Sequence, residues 1–336
     1  MKRIFICFIS VLFLSQCTLL NEPKEYKYDK EKVLLDLCTT IKNNYSYLSY
    51  KKIKIDSLYS AYYTKLSNYE GDRIFNLLYD VLGELKDGHV DFYSLGGFPI
   101  QPYTPPRMTK DKHSYDPLVV RNYSSNPFQL SGEKKIESGL LNGNIGYVNI
   151  STLENGDGKW IYDFSNIISS FTNTNGIILD IRNNGGGSDL ISYYIVQQLL
   201  SKPMLSPIWL DAKGKELNRI TLNPSSKNPY KKNIVLLQNG GCFSSAEGFI
   251  CMMRELPNVT TIGDTTGGGS GAPQLFQLAE NLTIRISTKI QLTYERKYIE
   301  WNGIEPDILI PQTKNDIDQG RDLQLEAAIN FLLNEN

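Results

Sequence analysis

The chain has 336 residues, 41% of them hydrophobic and 21% charged, so it can bury a full core, and its length suits roughly two domains. Lysine and arginine nearly balance aspartate and glutamate, for a formal net charge of -1. Such a chain lacks the basic stripe that phosphate contacts need, so nucleic acid is not an expected partner.

Met1 to Cys17 give a basic start, a short apolar run and a cysteine. The apolar run is too short to span a bilayer as a stable helix, and the layout is that of a secretory signal over 1–17. Leu14-Ser-Gln-Cys17 resembles a bacterial lipobox with Cys17 as the lipidated residue, although Gln16 departs from the small residue usual before that cysteine. The chain is expected to be exported and lipid-anchored at the cell envelope of a bacterium; plain secretion and an uncleaved anchor are the alternatives. Residues 18–30 read as a tether. Beyond Cys7 and Cys17 only Cys38, Cys242 and Cys251 remain, odd in number and without metal-ligand spacing. Neither a disulfide scaffold, a metal centre nor a cofactor is expected.

Residues 31–95 read as a helical bundle. Leu34, Leu37, Cys38 and Ile41 form one stripe, Ile55, Leu58, Tyr59, Tyr62 and Leu66 a second, and Phe75, Leu78, Leu82 and Leu85 a third. Ile55-Asp-Ser57 offers a cap for the second helix. The third runs into Asp87-Gly-His89, where Gly88 ends the helix and His89 opens an extended segment. The chain has two histidines, and the other, His113, lies in a polar stretch expected to face solvent. Residues 96–141 are proline-rich and irregular, with short extended pieces such as Leu118-Val-Val-Arg121, and are expected to form loops and a few strands connecting the bundle to a core over 142–336.

In that core, apolar strands at 145–150, 176–181, 233–238 and 258–263 alternate with helical stretches, among them one face of Trp160, Phe164, Ile167, Ile168 and Phe171 and a helix over 189–201. Alternation of this kind predicts a mostly parallel α/β sheet covered on both faces. Strand pairs at 273–279, 282–288 and 290–300 and a closing helix over 318–333 complete it.

Two glycine-rich turns carry the chemistry. Asp180-Ile-Arg-Asn-Asn-Gly-Gly-Gly-Ser188 follows a buried strand and precedes a helix, so its N–H groups are placed to meet an anion or oxyanion. It has neither the lysine of a P-loop nor the spacing of a dinucleotide fingerprint. After the next core strand, Gly241-Cys-Phe-Ser-Ser-Ala-Glu247 sets Ser244 at a helix N-terminus, where the dipole favours negative charge. Ser244 is a candidate nucleophile; Ser244-Ser-Ala-Glu247 also reads as a capping box, a purely structural role.

Taken in order, D-x-R-x-N-x-G-G, F-S-S-A-E, G-D-T-T-G and G-I-E-P-D resemble the tail-specific, or C-terminal processing, serine peptidases, a superfamily that also holds the tricorn core and the interphotoreceptor retinoid-binding proteins. The resemblance covers about Asn144 to Pro311 and implies a crotonase/ClpP-like β/α core behind an N-terminal helical bundle, with no evident PDZ domain. Where one branch carries a catalytic lysine, this chain has Gly269. The resemblance to the tricorn-like branch implies Ser244 as nucleophile, His89 as base and Glu300 as the residue that orients the imidazole. It implies the backbone of Gly186 and Ser245 as the oxyanion hole. Gly185, Gly187, Gly268 and Gly269 are expected to meet substrate, the last two from a loop over 263–271 able to close on an extended peptide. The expected function is a cell-envelope serine endopeptidase acting on extended or unfolded polypeptides; the alternative is an inactive peptide- or lipid-binding protein on the same fold.

Overall fold

The computed structural model describes residues 28–69, 73–94, 96–110, 113–131, 133–156 and 160–334. The signal-like segment, Cys17 and most of the tether lie outside these residues. Three helices come first: α1 (Lys30–Asn44), α2 (Ile55–Tyr63) and α3 (Ile74–Gly83). α1 opens where Asp29 accepts the Lys32 N–H at 3.1 Å, and it buries Val33, Leu34, Leu37, Cys38 and Ile41. α2 has no side-chain cap; Lys54 is its N-cap residue, and Asp56, inside the first turn, pairs instead with Lys42 at 2.9 Å.

The next segments are β1 (Asp91–Tyr93), β2 (Pro99–Ile100), α4 (Pro106–Lys110), α5 (Pro117–Val120), β3 (Gln129–Ser131), β4 (Ile136–Leu141) and β5 (Ile145–Ile150). Residues 96–141 contribute strands, β3 and β4 to the main sheet beside β5 and β2 to a second sheet, whereas the piece expected to be extended at 118–121 is helical, since Asp116 caps α5 by accepting the Leu118 N–H. The core continues with α6 (Ile161–Ser170), β6 (Ile177–Asp180), α7 (Asp189–Leu199), β7 (Met204–Leu205), β8 (Ile208–Asp211), β9 (Thr221–Leu222), β10 (Ile234–Gln238), α8 (Ser245–Arg254) and β11 (Val259–Gly263). It closes with β12 (Pro273–Gln277), β13 (Thr283–Ser287), β14 (Lys289–Leu292), β15 (Ile308–Leu309), α9 (Lys314–Asp318) and α10 (Leu323–Asn334).

The seven-stranded main sheet runs β15-β11-β10-β6-β5-β4-β3, with β5, β6, β10, β11 and β15 parallel and β3 and β4 antiparallel. Its central strands are mostly apolar because both faces are covered. Ile177, Leu179, Ile234 and Leu236 point toward Phe164, Ile195 and Phe249 of α6, α7 and α8, whereas Ile178, Val235 and Leu237 meet Leu325, Ala328 and Leu332 of α10. The four-stranded sheet, order β12-β13-β1-β2, and β14 share one apolar cluster with the bundle: Leu37, Ile41, Leu78 and Leu82 pack with Ile284 and Ile286 of β13 and Ile290 and Leu292 of β14. The bundle is therefore joined to the last third of the chain. Among the described residues no helix is long and apolar enough to cross a membrane.

Candidate active site

β10 ends in a parallel sheet, and the chain must turn sharply to enter α8. Asn239 organises that turn: its Oδ1 accepts the N–H groups of Asn183 (2.9 Å) and Gly241 (3.0 Å), tying the two glycine-rich turns together. Gly241 has no room for a side chain, since an added Cβ would lie 2.4 Å from Asn183 Oδ1. Ser244 follows at φ 60°, ψ -128°, a conformation of the II′-turn type that glycine adopts freely and a side chain resists. It is half-buried, on the N-terminal end of α8.

Two loops grip Ser244. On one side Phe243 N–H donates to Asn184 O (3.1 Å), Ser245 Oγ donates to Gly187 O (2.9 Å), and an added Cβ at Gly186 would meet Ser244 Cβ at 2.9 Å. On the other, Ser244 N–H donates to Gly269 O (3.1 Å) and Gly267 N–H to Cys242 O (2.8 Å). Glu247 locks this second side. Its carboxylate is buried and accepts the Thr266 hydroxyl and the N–H groups of Gly268 (2.9 Å), Gly269 (2.8 Å) and Ser244 (3.3 Å). Burial pushes its pKa up to about 7, against the pull of those donors. The capping-box glutamate therefore also braces the glycine loop. That loop is buried and bonded, not a free flap, and Gly268 and Gly269 spend their N–H groups on Glu247; Gly185 and Gly187 are exposed.

Ser245, the first residue of α8, presents its N–H at the positive end of the helix dipole. The expected second donor is differently engaged: Gly186 N–H donates within its own loop to Asn184 Oδ1 at 2.9 Å. Cys242 is a packed residue, its thiol donating to Ile181 O (3.1 Å) and pushed up to about 12 by burial.

His89 comes from the turn after α3. Its ring stacks on Phe243, with centroids 4.6 Å apart, and thus lies beside the residue that precedes Ser244. Both ring nitrogens are buried without a hydrogen-bond partner. Asp87 shapes the turn, Oδ1 accepting the His89 N–H at 2.8 Å and lying 3.9 Å from Nδ1. Asp87 Oδ2 accepts Tyr45 OH and Ser287 Oγ, each at 2.9 Å. Burial pushes the imidazole down to about 4, with Asp87 opposing and Arg285 and Lys51 reinforcing, so the ring is neutral at pH 7.

Glu300 does not touch His89. Its Oε1 lies 2.5 Å from Lys51 Nζ, and Oε2 accepts the Ser270 N–H at 3.3 Å. The carboxylate facing the imidazole is Asp87. Burial and Asp87 push the Glu300 carboxyl well up, opposed by Lys51. Sequence reasoning missed Lys51 altogether. A lysine in Tyr45-Ser-Tyr-Leu-Ser-Tyr-Lys51 carries no local mark of burial, whereas Asp87, two residues before the histidine in a glycine turn, was within reach as an Asx-type bond. Asp180, Arg182 and Asp322 form a buried network, Arg182 donating to Asp180 Oδ2 at 2.7 Å and Asp322 Oδ1 at 2.8 Å, and Asp307 fixes β11 through Thr261. Among the described residues no group of three or more His, Cys, Asp or Glu side chains is placed to hold a metal ion.

Residues 144–310 match the family described as Peptidase family S41. The carboxy-terminal processing protease CtpA of Bacillus subtilis is 26% identical over 181 residues, which cover 52% of this chain and 36% of that protein. The chain spans about a third or less of the length of the first curated relatives it matches, the tricorn protease of Thermoplasma acidophilum being covered over 17% of its length. Among solved structures, a candidate peptidase from Parabacteroides merdae superposes with a TM-score of 0.79 at 27% identity, over 91% of this chain and 97% of that one. Mature CPAF superposes with a TM-score of 0.67 at 16% identity, over 91% and 98% of the two chains, a likeness of fold.

Proposed function

Because this chain belongs to peptidase family S41, we propose that it is a serine endopeptidase that cleaves extended or unfolded polypeptides, with Ser244 as nucleophile and His89 as base. The observation that carries this reading is the backbone of Ser244. A non-glycine residue at φ 60°, ψ -128° costs on the order of 1–3 kcal/mol, and such strain persists where a side chain must be held at a fixed point. In the proposed reaction Ser244 Oγ attacks the peptide carbonyl and His89, neutral before the attack, takes its proton. The Ser245 N–H, at the start of α8, receives the oxyanion. His89 returns the proton to the leaving amine, and water then releases the acyl group by the same route. Asp87 faces the imidazolium that forms, and Glu300 adds negative charge from behind Lys51. We place the protein at the cell envelope, held through Cys17, on the signal-like sequence of residues 1–17.

A fluorophosphonate probe tests the nucleophile. The expected result is labelling of the parent at Ser244, none in Ser244→Gly, and loss of at least tenfold in rate for His89→Ala. Because glycine fits the strained backbone, Ser244→Gly should also melt higher than Ser244→Ala. Labelling that survives Ser244→Gly contradicts the assignment. A second reading, an inactive peptide- or lipid-binding protein, draws on the buried, unbonded His89 ring and the engagement of Glu300 by Lys51. An unlabelled parent that nonetheless binds unfolded casein without cleaving it would favour this second reading.

A further inference from the structure

Lys51, in the loop after α1, has a side chain that is fully buried. Its ammonium donates to Leu85 O at 3.0 Å, Lys86 O at 3.1 Å and Glu300 Oε1 at 2.5 Å, and it lies 3.9 Å from Asp87 Oδ2. The rings of Tyr45, Tyr47 and Trp301 surround it at 5.7, 5.4 and 4.8 Å. Stripping water from an ammonium costs several kcal/mol, so a lysine stays in such a place only when its partners fill every donor position. Those partners come from two distant segments. Leu85, Lys86 and Asp87 form the turn that aims His89, and Glu300 belongs to the strap that ends at Trp301. Trp301 closes the ring by donating its indole N–H to Lys86 O at 2.8 Å.

We propose that Lys51 is a positioning residue of the hydrolytic site, joining Glu300 to the Asp87–His89 turn as one buried ion cluster, so that Glu300 acts on the imidazole through Lys51 and Asp87 and not by contact. The proposal rests on the assignment of Ser244 and His89 above. Its physical content is charge balance around one ring. His89 is faced by Asp87 from its own turn, Arg285 from β13 and Lys51 from the α1 loop. Lys51 in turn is faced by Asp87, Glu300 and the phenols of Tyr45 and Tyr47. Removing the ammonium leaves two carboxylates without a counter-ion beside the imidazole, which favours its protonated form. Removing the Glu300 charge leaves the ammonium to draw on Asp87 alone, which disfavours it.

The chain has only two histidines, which makes the test direct, because proton NMR can follow the His89 ring apart from that of exposed His113. Lys51→Met is expected to raise the His89 midpoint by about one unit and Glu300→Gln to lower it by a similar amount, while Lys51→Arg keeps it. In pH profiles of fluorophosphonate labelling, the rising limb should move with the same sign, which a merely structural loss would not produce. His89 midpoints unmoved in Lys51→Met and Glu300→Gln overturn the proposal. Should Lys51→Met fail to fold, Glu300→Gln decides alone. The titration requires no turnover, so it separates two failures. An unlabelled parent removes the nucleophile reading, whereas normal labelling with static midpoints removes only the role of Lys51.

Discussion

His89 and Glu247 are buried ionisable groups near Ser244, and their burial acts on stability with opposite signs. His89 falls from an ordinary 6.5 to about 4. Its contribution is fully present above pH 6.5 and is lost as pH falls through about 4, because the unfolded chain binds the proton more readily. Glu247 rises from 4.5 to about 7, so its contribution is present below pH 4.5 and is lost as pH rises through about 7. Between those limits the two slopes oppose each other and the parent conceals both. Urea unfolding at pH 7 and pH 4.5 should expose them. Relative to the parent, His89→Gln is expected to gain about 2–3 kcal/mol over that fall in pH and Glu247→Gln to lose a similar amount. Shifts of the same sign in the two variants would contradict the burial argument.

Phe243 and the glycine loop after β11 act as one element on the site. The Phe243 ring is the surface on which His89 lies, and Gly269 is the floor under that ring, since an added Cβ would fall 1.8 Å from Phe243 Cε2. Gly269→Ala should therefore displace Phe243 and His89 together, slowing fluorophosphonate labelling by at least tenfold at a stability cost of about 1–3 kcal/mol, measured by urea melts. Unchanged labelling would show that ring placement is not needed. The elements themselves were largely legible in the sequence. The runs that became β6 and β10 are apolar up to their last residues, Asp180 and Gln238, because each is covered on both faces, and the stripes of α1 and α3 repeat at helical spacing. Strands were expected within 96–141 without positions; β3 could not be placed because it lies at the sheet margin with mostly exposed residues, so no apolar pattern marks it. Within the candidate site, the turns that carry Ser244 and His89 were legible from the glycines that punctuate them. The partner of Glu300 was not, since Lys51 is buried by contacts with positions 249 residues away that no local pattern encodes.

At the scale of the whole molecule, the N-terminal bundle and the C-terminal strands form one cluster, and the site lies where they meet the α/β sheet. The proposed lipid anchor belongs to this scale too, because it would hold both parts at the membrane through a single N-terminal attachment. Cys17→Ala is expected to move the protein from the membrane fraction to the soluble one, and retention on membranes would contradict lipidation at that residue.

The bond between Asp87 and Ser287 joins positions 200 apart in the sequence. A polypeptide emerging from its N-terminus holds the histidine turn early but cannot brace it until β13 has followed. Before β13 has joined the fold Ser244 thus has no finished neighbourhood, and the proposed peptide cleavage is expected only after residue 287 has been made.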